Sequence, residues 1–172
     1  MKKNNIILIG FMGCGKSTVG VKLSYRLQRT LIDTDKWIEK RQQRTITDIF
    51  AKEGEQTFRQ METDCLKELL ETADGQIIAV GGGLPVWPQN HQLLGQLGTI
   101  IYLQVTPQEV YERLSTDTTR PLLQGEDPQG KIKELLAKRM PVYEELADRV
   151  IVEKGKDLDT VVTEITAFMQ SD

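Results

Sequence analysis

The sequence has few of the residues that carry metal or disulfide chemistry: its 172 residues include two cysteines and one histidine. Cys14 and Cys65 have neither the spacing of a metal site nor enough partners for a disulfide framework, so we expect a reduced, cytoplasmic setting. We expect His91, the single histidine, at the surface near a helix start, which argues against histidine-based catalysis.

Strong net charge and long apolar runs are also absent. The 22 basic and 25 acidic residues give a net charge of -3, which provides no general attraction to nucleic acid or membranes. No run approaches the roughly 18 apolar residues of a membrane span. The apolar run in MKKNNIILIG stops at Gly10 and a lysine soon follows, so we expect no signal peptide. We expect a monomer that binds small molecules, without nucleic acid or membrane partners.

Short apolar segments alternate with longer amphipathic ones along the chain. NIILI, TLID, QIIAV, TIIYLQV and RVIVE are rich in Ile and Val and predict buried strands, whereas segments such as TFRQMETDCLKELLE have helical spacing. Strands separated by helices of this length predict an α/β fold, with a parallel sheet covered by helices on both faces. The polar stretch 115–130 is long for a plain connection and is typical of a lid.

Residues 10–18, GFMGCGKST, match the phosphate-binding pattern G-x-x-x-x-G-K-[ST] between a predicted strand and a predicted helix. Glycines let the backbone approach a phosphate, and the helix N-terminus adds partial positive charge. Lys16 would contact the β and γ phosphates of a nucleoside triphosphate, and the Ser17 hydroxyl would serve Mg²⁺. A glycine-rich turn that only caps a helix is the alternative. We interpret Cys14 as a small loop residue, and a thiolate stabilised at this helix start is the alternative.

The nucleotide site leaves kinase, hydrolase and switch functions open. A GTPase switch normally carries an Asn-Lys-x-Asp motif, which the sequence lacks, and DPQG at 127–130 matches D-x-x-G only within the polar stretch. The chain is also short for a motor. A small-molecule kinase is therefore the leading class.

Two carboxylates lie where the predicted strand TLID ends: Asp33 is its last residue and Asp35 follows two positions later. Ligands of open α/β sheets bind at the carboxyl ends of the strands. If the extended conformation continues, residues i and i+2 share a face, and both side chains point into the cleft. One carboxylate would then serve Mg²⁺ and the other would accept a hydrogen bond from a substrate hydroxyl. A turn with a helix-capping aspartate is the alternative.

Further residues suit an acceptor substrate that carries a carboxylate as well as hydroxyls. Arg59 and Glu62 lie three apart on one helical face, where a surface ion pair is the alternative. The VGGG segment at 80–83 would expose backbone N–H groups and let a ligand approach, unless it only makes a tight turn. Arg120 and Arg139 add two guanidinium groups, which bind carboxylates through paired hydrogen bonds.

Six motifs resemble those of the shikimate kinase family. In chain order they are GCGKSTVG, DTD, GEQTFRQME, VGGG, RPLL and KRMPVYEE. The resemblance implies a three-layer α/β fold with a five-stranded parallel sheet. It also implies one domain over residues 1–172, with a phosphate loop at 10–18, a substrate-binding segment at about 36–63 and a lid at about 115–127.

The same resemblance implies ATP-dependent phosphorylation of the 3-hydroxyl of shikimate, in the pathway of aromatic amino-acid biosynthesis. The implied nucleotide-binding residues are Gly13, Cys14, Gly15, Lys16, Ser17, Thr18, Arg113 and Arg120. The implied shikimate-binding residues are Asp35, Arg59, Gly81, Gly82, Gly83 and Arg139. Ser17 and Asp33 are the implied Mg²⁺ ligands, and Lys16, Asp35 and Arg120 the implied catalytic residues.

Three questions stay open at the level of sequence. Asp35 could act as a base or only orient the attacking hydroxyl. The proline that often covers one edge of adenine in this family is absent from VEKGKDLD. Two other functions also fit the nucleotide site: a kinase for another acceptor, such as gluconate or a nucleoside monophosphate, and a regulatory protein that binds nucleotide without turnover.

Overall fold

A computed structural model describes the fold for residues 2–115 and 125–171. The predicted site residue Arg120 and most of the predicted lid lie outside these residues. The strands are β1 (Asn5–Ile9), β2 (Leu31–Asp33), β3 (Ile77–Ala79), β4 (Gly98–Gln104) and β5 (Arg149–Val152). The α-helices are α1 (Lys16–Leu27), α2 (Thr34–Gln42), α3 (Ile46–Thr72), α4 (His91–Leu97), α5 (Pro107–Leu114), α6 (Pro128–Leu146) and α7 (Leu158–Gln170).

The five strands form one parallel sheet in the order β2-β3-β1-β4-β5. The central strand β1 places Ile6 beside Ile77 of β3 and Thr99 of β4. Every residue of β1 is buried, which explains why NIILI shows no alternation of apolar and polar residues. The prediction of a five-stranded parallel sheet is confirmed.

Helices cover both faces of the sheet. The chain moves from β1 to β2 in one direction across the sheet and returns in the other, and right-handed crossovers therefore place the connecting helices on opposite faces. Helices α1 and α7 pack on each other, while α3 contacts α4 on the opposite face and α4 contacts β1 and β4. The result is the predicted three-layer arrangement, with a continuous apolar core on both sides of the sheet.

The change of direction at β1 opens a crevice at the carboxyl ends of the strands, where α/β proteins of this kind bind ligands. The loop after β1, the start of α2 after β2 and the glycine turn after β3 all lie at this edge. Two short 3-10 helices, Leu84–Val86 and Pro88–Asn90, connect that turn to α4. The topology therefore brings together three segments that are far apart in sequence.

Helix α3 is bent at Gly54. The backbone angles there, φ 85° and ψ 171°, are not helical, and a positive φ favours glycine. A Cβ atom built at Gly54 would meet no other atom within 4 Å, so the backbone conformation rather than crowding explains the glycine. Across residues 2–115 and 125–171, no helix is both long enough and apolar enough to cross a bilayer.

Candidate active site

A cavity of about 700 Å³ lies at the carboxyl ends of β1, β2 and β3. Most of the residues predicted from the sequence line it. They are Gly13, Gly15, Lys16, Ser17, Thr18, Asp33, Asp35, Arg59, Gly81, Gly82, Gly83 and Arg139. Of the other predicted residues, Cys14 and Arg113 lie beside this lining, and Arg120 is outside the described part of the chain.

The loop between β1 and α1 has the backbone of a phosphate cradle. Gly13 and Gly15 have φ values of +80° and +83°, which other residues adopt only with strain. Lys16 begins α1, and its Nζ donates to the carbonyl oxygens of Gly10 at 2.6 Å and Phe11 at 3.3 Å. The loop thus satisfies the lysine ammonium with its own carbonyls, and a phosphate would have to replace these bonds.

Cys14 lies beneath this loop. Its side chain is fully buried, and its backbone N–H donates to the carbonyl of Phe11 at 3.1 Å. Burial raises the pKa of the thiol, and this outweighs the nearby charge of Lys16. The interpretation of Cys14 as a small loop residue therefore agrees with its burial, and the alternative of a stabilised thiolate does not.

Asp33 both caps a helix and faces the cavity. One carboxylate oxygen, Oδ1, accepts hydrogen bonds from the backbone N–H groups of Asp35 at 2.9 Å and Lys36 at 3.2 Å. The other oxygen, Oδ2, lies 3.4 Å from the Ser17 hydroxyl and accepts its hydrogen bond. The capping alternative and the site prediction therefore describe two oxygens of the same carboxylate.

The prediction that Asp33 and Asp35 share one face of an extended segment was wrong. The extended conformation ends at Asp33, and Asp35 lies in the first turn of α2, so the two side chains do not share the face of a strand. Both line the cavity because the helix begins immediately after β2. Burial raises the pKa of Asp35, the neighbouring Asp33 charge raises it further, and the charge of Lys16 opposes both.

Arg59 and Glu62 form a buried ion pair on α3. Their side chains are 10% and 0% exposed, and Arg59 Nη1 donates to Glu62 Oε1 at 2.6 Å, so a surface ion pair is excluded. Burial raises the pKa of Glu62 to about 7 against the opposing charge of Arg59. Arg59 Nε and Glu62 Oε2 are buried without a hydrogen-bond partner among the described residues. Arg59 Nε nevertheless lies 3.5 Å from Glu55 Oε1, so Glu62 Oε2 is the atom of this pair that lacks a polar neighbour of opposite character.

Each glycine of the turn after β3 lies against a different charged group. A Cβ atom at Gly81 would come within 2.9 Å of Asp35 Oδ1 and 3.2 Å of Glu62 Oε2. At Gly82 it would lie 3.4 Å from Arg139 Nη1, and at Gly83 it would lie 2.6 Å from Arg59 Nη1. Close approach of these side chains, rather than an unusual backbone angle, therefore explains Gly81 and Gly83, whereas 3.4 Å at Gly82 is an ordinary contact distance.

The prediction for the backbone of this turn needs a correction. The N–H of Gly81 donates to the Thr34 hydroxyl at 3.2 Å, so it is not free to bind a ligand. Thr34 is fully buried in the first turn of α2. The contact instead fixes the glycine turn relative to the two aspartates.

An apolar wall of the cavity was missed at the sequence level. Ile46, Phe50 and Phe58 of α3 line it, and the rings of Phe50 and Phe58 lie 5.0 Å apart. Phe50 and Phe58 lie on either side of the bend at Gly54. Their eight-residue spacing indicates one helical face but does not show that this face borders a cavity.

Arg113 lies at the carboxyl end of α5, beside the phosphate loop. Its Nη1 donates to the carbonyl of Gly13 at 2.8 Å and lies 3.8 Å from Glu153 Oε2. Glu153, directly after β5, is only 7% exposed, and burial raises its pKa to about 7 against the charge of Arg113. Glu153 was not predicted; it belongs to the segment VEKGKDLD, in which the expected proline is absent.

Comparisons with known proteins agree with this geometry. A family model described as shikimate kinase matches residues 12–170. A shikimate kinase of Francisella tularensis subsp. holarctica is 37% identical over 98% of this chain and 96% of the relative. Among solved structures, shikimate kinase from Acinetobacter baumannii in complex with shikimate has a TM-score of 0.91 at 37% identity, covering 98% of this chain and 94% of that one. Shikimate kinase from Bacteroides thetaiotaomicron has a TM-score of 0.88 at 30% identity, covering 97% and 98%.

Proposed function

The chain belongs to the shikimate kinase family, and we propose that it transfers the γ-phosphoryl group of ATP to the 3-hydroxyl of shikimate in the cavity described above. The reaction belongs to the pathway of aromatic amino-acid biosynthesis. The observation that carries this proposal is that one cavity is lined by a phosphate cradle, a carboxylate with a raised pKa, and arginines beside a glycine turn.

The nucleotide half of the cavity comprises residues 10–18 with the adjacent Arg113 and Glu153. We assign the ATP phosphates to the cradle. Lys16 exchanges the carbonyls of Gly10 and Phe11 for phosphate oxygens, and the N-terminus of α1 favours the same negative charge. Arg113, bonded to the carbonyl of Gly13, offers a planar guanidinium on which the adenine can stack.

Ser17 and Asp33 are the proposed protein ligands for Mg²⁺. Their oxygens, 3.4 Å apart, are a hydroxyl and a carboxylate, the hard donors that this ion prefers. No cluster of three or more acidic, His or Cys residues suited to a metal occurs among the described residues, which fits an ion that completes its shell with phosphates and water. Bound Mg²⁺ would neutralise charge on the β and γ phosphates.

The acceptor half comprises Asp35, Arg59, Glu62, residues 81–83 and Arg139. We assign the shikimate carboxylate to Arg59 and Arg139, because guanidinium groups pair with carboxylates in a fixed planar geometry. Phe50 and Phe58 give the apolar wall against which a six-membered ring can lie. The Acinetobacter baumannii relative, solved with shikimate, supports the choice of acceptor.

Asp35 is the proposed partner of the attacking hydroxyl. Burial and the neighbouring Asp33 raise its pKa, which brings the carboxylate closer to the value that suits proton transfer near neutral pH. In a loose phosphoryl-transfer transition state, an acceptor that aligns the hydroxyl already helps, and full proton removal can follow. Asp35 therefore acts first in orientation and then as the site that receives the proton.

Several parts of the proposal extend beyond the described residues. Arg120 is predicted to reach the phosphates from the lid at 115–127 and to help exclude water, which would otherwise compete as acceptor. One domain over residues 1–172, a monomer and a cytoplasmic location also stay predictions. Gel filtration with light scattering tests the monomer directly.

The deciding experiment measures ADP release from MgATP with shikimate, with gluconate, with nucleoside monophosphates and with no acceptor. We expect release that depends on shikimate, together with a new phosphate ester identified by ³¹P NMR. Faster release with another acceptor would replace shikimate by that compound. Nucleotide binding without turnover on any acceptor would favour the regulatory alternative.

A further inference from the structure

Gly82 lies beside two side chains of helix α6 and is bonded to one of them, Tyr143. Its carbonyl oxygen accepts a hydrogen bond of 2.5 Å from the Tyr143 hydroxyl, and a Cβ built on it would lie 3.4 Å from Arg139 Nη1. Arg139 and Tyr143 are four residues apart on α6 and therefore lie on the same side of the helix. Helix α6 thus supplies both Arg139, which we propose binds the substrate carboxylate, and Tyr143, which contacts the glycine turn facing Arg139.

The rest of the turn is fixed by other elements. The Gly81 N–H donates to Thr34 of α2 at 3.2 Å, and the Leu84 carbonyl accepts from the buried Asn90 Nδ2 at 2.9 Å. These contacts tie the two ends of the turn to α2 and to the segment before α4. Tyr143 ties its middle to α6, so this bond sets the separation between Gly82 and Arg139.

The Tyr143 hydroxyl is suited to a permanent contact. The side chain is fully buried, and its ring packs on that of Tyr102, with centroids 5.1 Å apart. Burial raises the pKa of the Tyr143 hydroxyl, so it stays protonated and keeps donating to Gly82. Tyr102 is equally buried, but its hydroxyl has no hydrogen-bond partner among the described residues.

We propose that Tyr143 is a positioning residue for the acceptor substrate: its hydroxyl holds Gly82 at the separation from Arg139 at which the turn and the guanidinium receive shikimate together. This rests on the proposed function, because it takes residues 81–83 and Arg139 as shikimate contacts. Tyr143 itself is not a lining residue of the cavity, so it acts through Gly82. Without the hydroxyl, the part-buried Gly82 carbonyl loses its partner from α6 and the turn shifts to satisfy it.

The test compares Tyr143→Phe with Tyr102→Phe. Each variant removes one buried hydroxyl from the same pair of stacked rings, but only the first removes a hydrogen bond. Dissociation constants for shikimate and for ATP are measured by calorimetry, and KM and kcat by ADP release. For Tyr143→Phe we expect shikimate affinity to fall by about 5- to 15-fold, the loss expected for one hydrogen bond of this kind, with the ATP constants unchanged. Tyr102→Phe should keep both constants.

The possible outcomes distinguish a failure of the proposed role of Tyr143 from a failure of the proposed kinase activity. Wild-type protein that neither binds nor phosphorylates shikimate would overturn the proposed function. Wild-type protein that does so, with unchanged shikimate affinity in Tyr143→Phe, would overturn only the role of Tyr143. Equal weakening of shikimate and ATP binding, or the same loss in Tyr102→Phe, would also overturn it, because a general packing defect would then explain the result.

Discussion

The acceptor half of the cavity contains a buried ion pair, whereas the two cations that bond to the phosphate loop in the nucleotide half are more exposed. Arg59 and Glu62 have side-chain exposures of 10% and 0% and bind each other directly. Arg113 is 41% exposed, and both it and Lys16 bond to carbonyls of the phosphate loop. A buried ion pair is fixed in place before a ligand arrives. Lys16 and Arg113, in contrast, can exchange loop carbonyls for the oxygens of a ligand.

This difference in burial suits two different tasks, selection of the acceptor and reversible binding of the nucleotide phosphates. A prearranged ion pair lowers the ordering cost of binding and selects strongly for one shape and charge. Cations that are satisfied by their own loop would exchange these carbonyls for phosphate oxygens when a triphosphate binds, and would recover the bonds when the product leaves. We therefore expect changes in the acceptor half to alter selectivity for the acceptor and changes in the nucleotide half to alter nucleotide binding.

The largest effect should come from Asp35→Asn. The amide keeps the size of the side chain but loses the charge and most of its ability to accept a proton, so kcat should fall by about 10²- to 10⁴-fold. ATP binding, measured by calorimetry, should stay within a factor of about three because Asp35 belongs to the acceptor half. Glu71→Gln, an exposed change on α3, is the control. Near-normal turnover in Asp35→Asn would remove this carboxylate from the mechanism.

Arg59→Lys should come next. A lysine keeps the positive charge but cannot make paired, planar hydrogen bonds to a carboxylate. A lost charge-assisted bond costs about 1.5–3 kcal/mol, so the KM for shikimate should rise by about 10- to 150-fold. The KM for ATP should not change. Arg41→Lys is a matched control, since Arg41 pairs with Glu68 on the surface at 2.9 Å. Equal rises of the two KM values would show that the two halves are not separable.

Gly83→Ala tests whether crowding explains the glycine turn. The added methyl group meets the Arg59 guanidinium, and overpacking of this kind costs about 1–3 kcal/mol of unfolding free energy. Urea unfolding should show that loss together with a raised KM for shikimate. Gly95→Ala is the control, because a Cβ there meets nothing within 4 Å in α4 and should stabilise the helix by about 0.5–1 kcal/mol. Full stability of Gly83→Ala would contradict the crowding argument.

The smallest effect on activity should come from Glu153→Gln, which should instead change how folding stability depends on pH. Burial raises the pKa of Glu153 from its ordinary value of 4.5 to about 7, so between these values the folded protein binds more protons than the unfolded chain. Folding stability from this group is present below pH 4.5 and is lost as the pH rises through 7.

Glutamine does not titrate, so the difference in Tm between Glu153→Gln and wild type should increase from pH 5 to pH 8. The increase should be about 2–4 °C for each kcal/mol of unfolding free energy that the wild-type protein loses over this range. The control is Glu145→Gln, at an exposed carboxylate of α6. A constant Tm difference across this range would show that Glu153 does not titrate there.

The sequence predicted the local features of the molecule well. The strand at residues 5–9, the phosphate loop and the parallel sheet follow from runs of apolar residues and from one contiguous motif. The interior of the acceptor half could be predicted only in part. Arg59 and Glu62 were paired by spacing, but spacing alone cannot show that their helical face is buried, since that depends on the elements that pack over it.

The features that were missed depend on contacts between distant residues. The Tyr143 hydroxyl reaches Gly82 across 61 positions of sequence, and Thr34 reaches Gly81 across 47. Glu153 gains its raised pKa from burial beside the phosphate loop, which no local pattern reveals. The shared-face argument for Asp33 and Asp35 was wrong because a capped helix replaced the expected extended segment.

The bend at Gly54 divides the part of α3 that lines the cavity into two arms. Phe50 is on one arm of α3, whereas Phe58 and Arg59 are on the other arm, which runs on into the packed core. Both arms are anchored in the core, since Ile49 of the short arm and Leu66 of the long arm are fully buried. A straight helix over residues 46–62 would be about 25 Å long, so the change of direction at one glycine lets side chains from both arms line the same cavity.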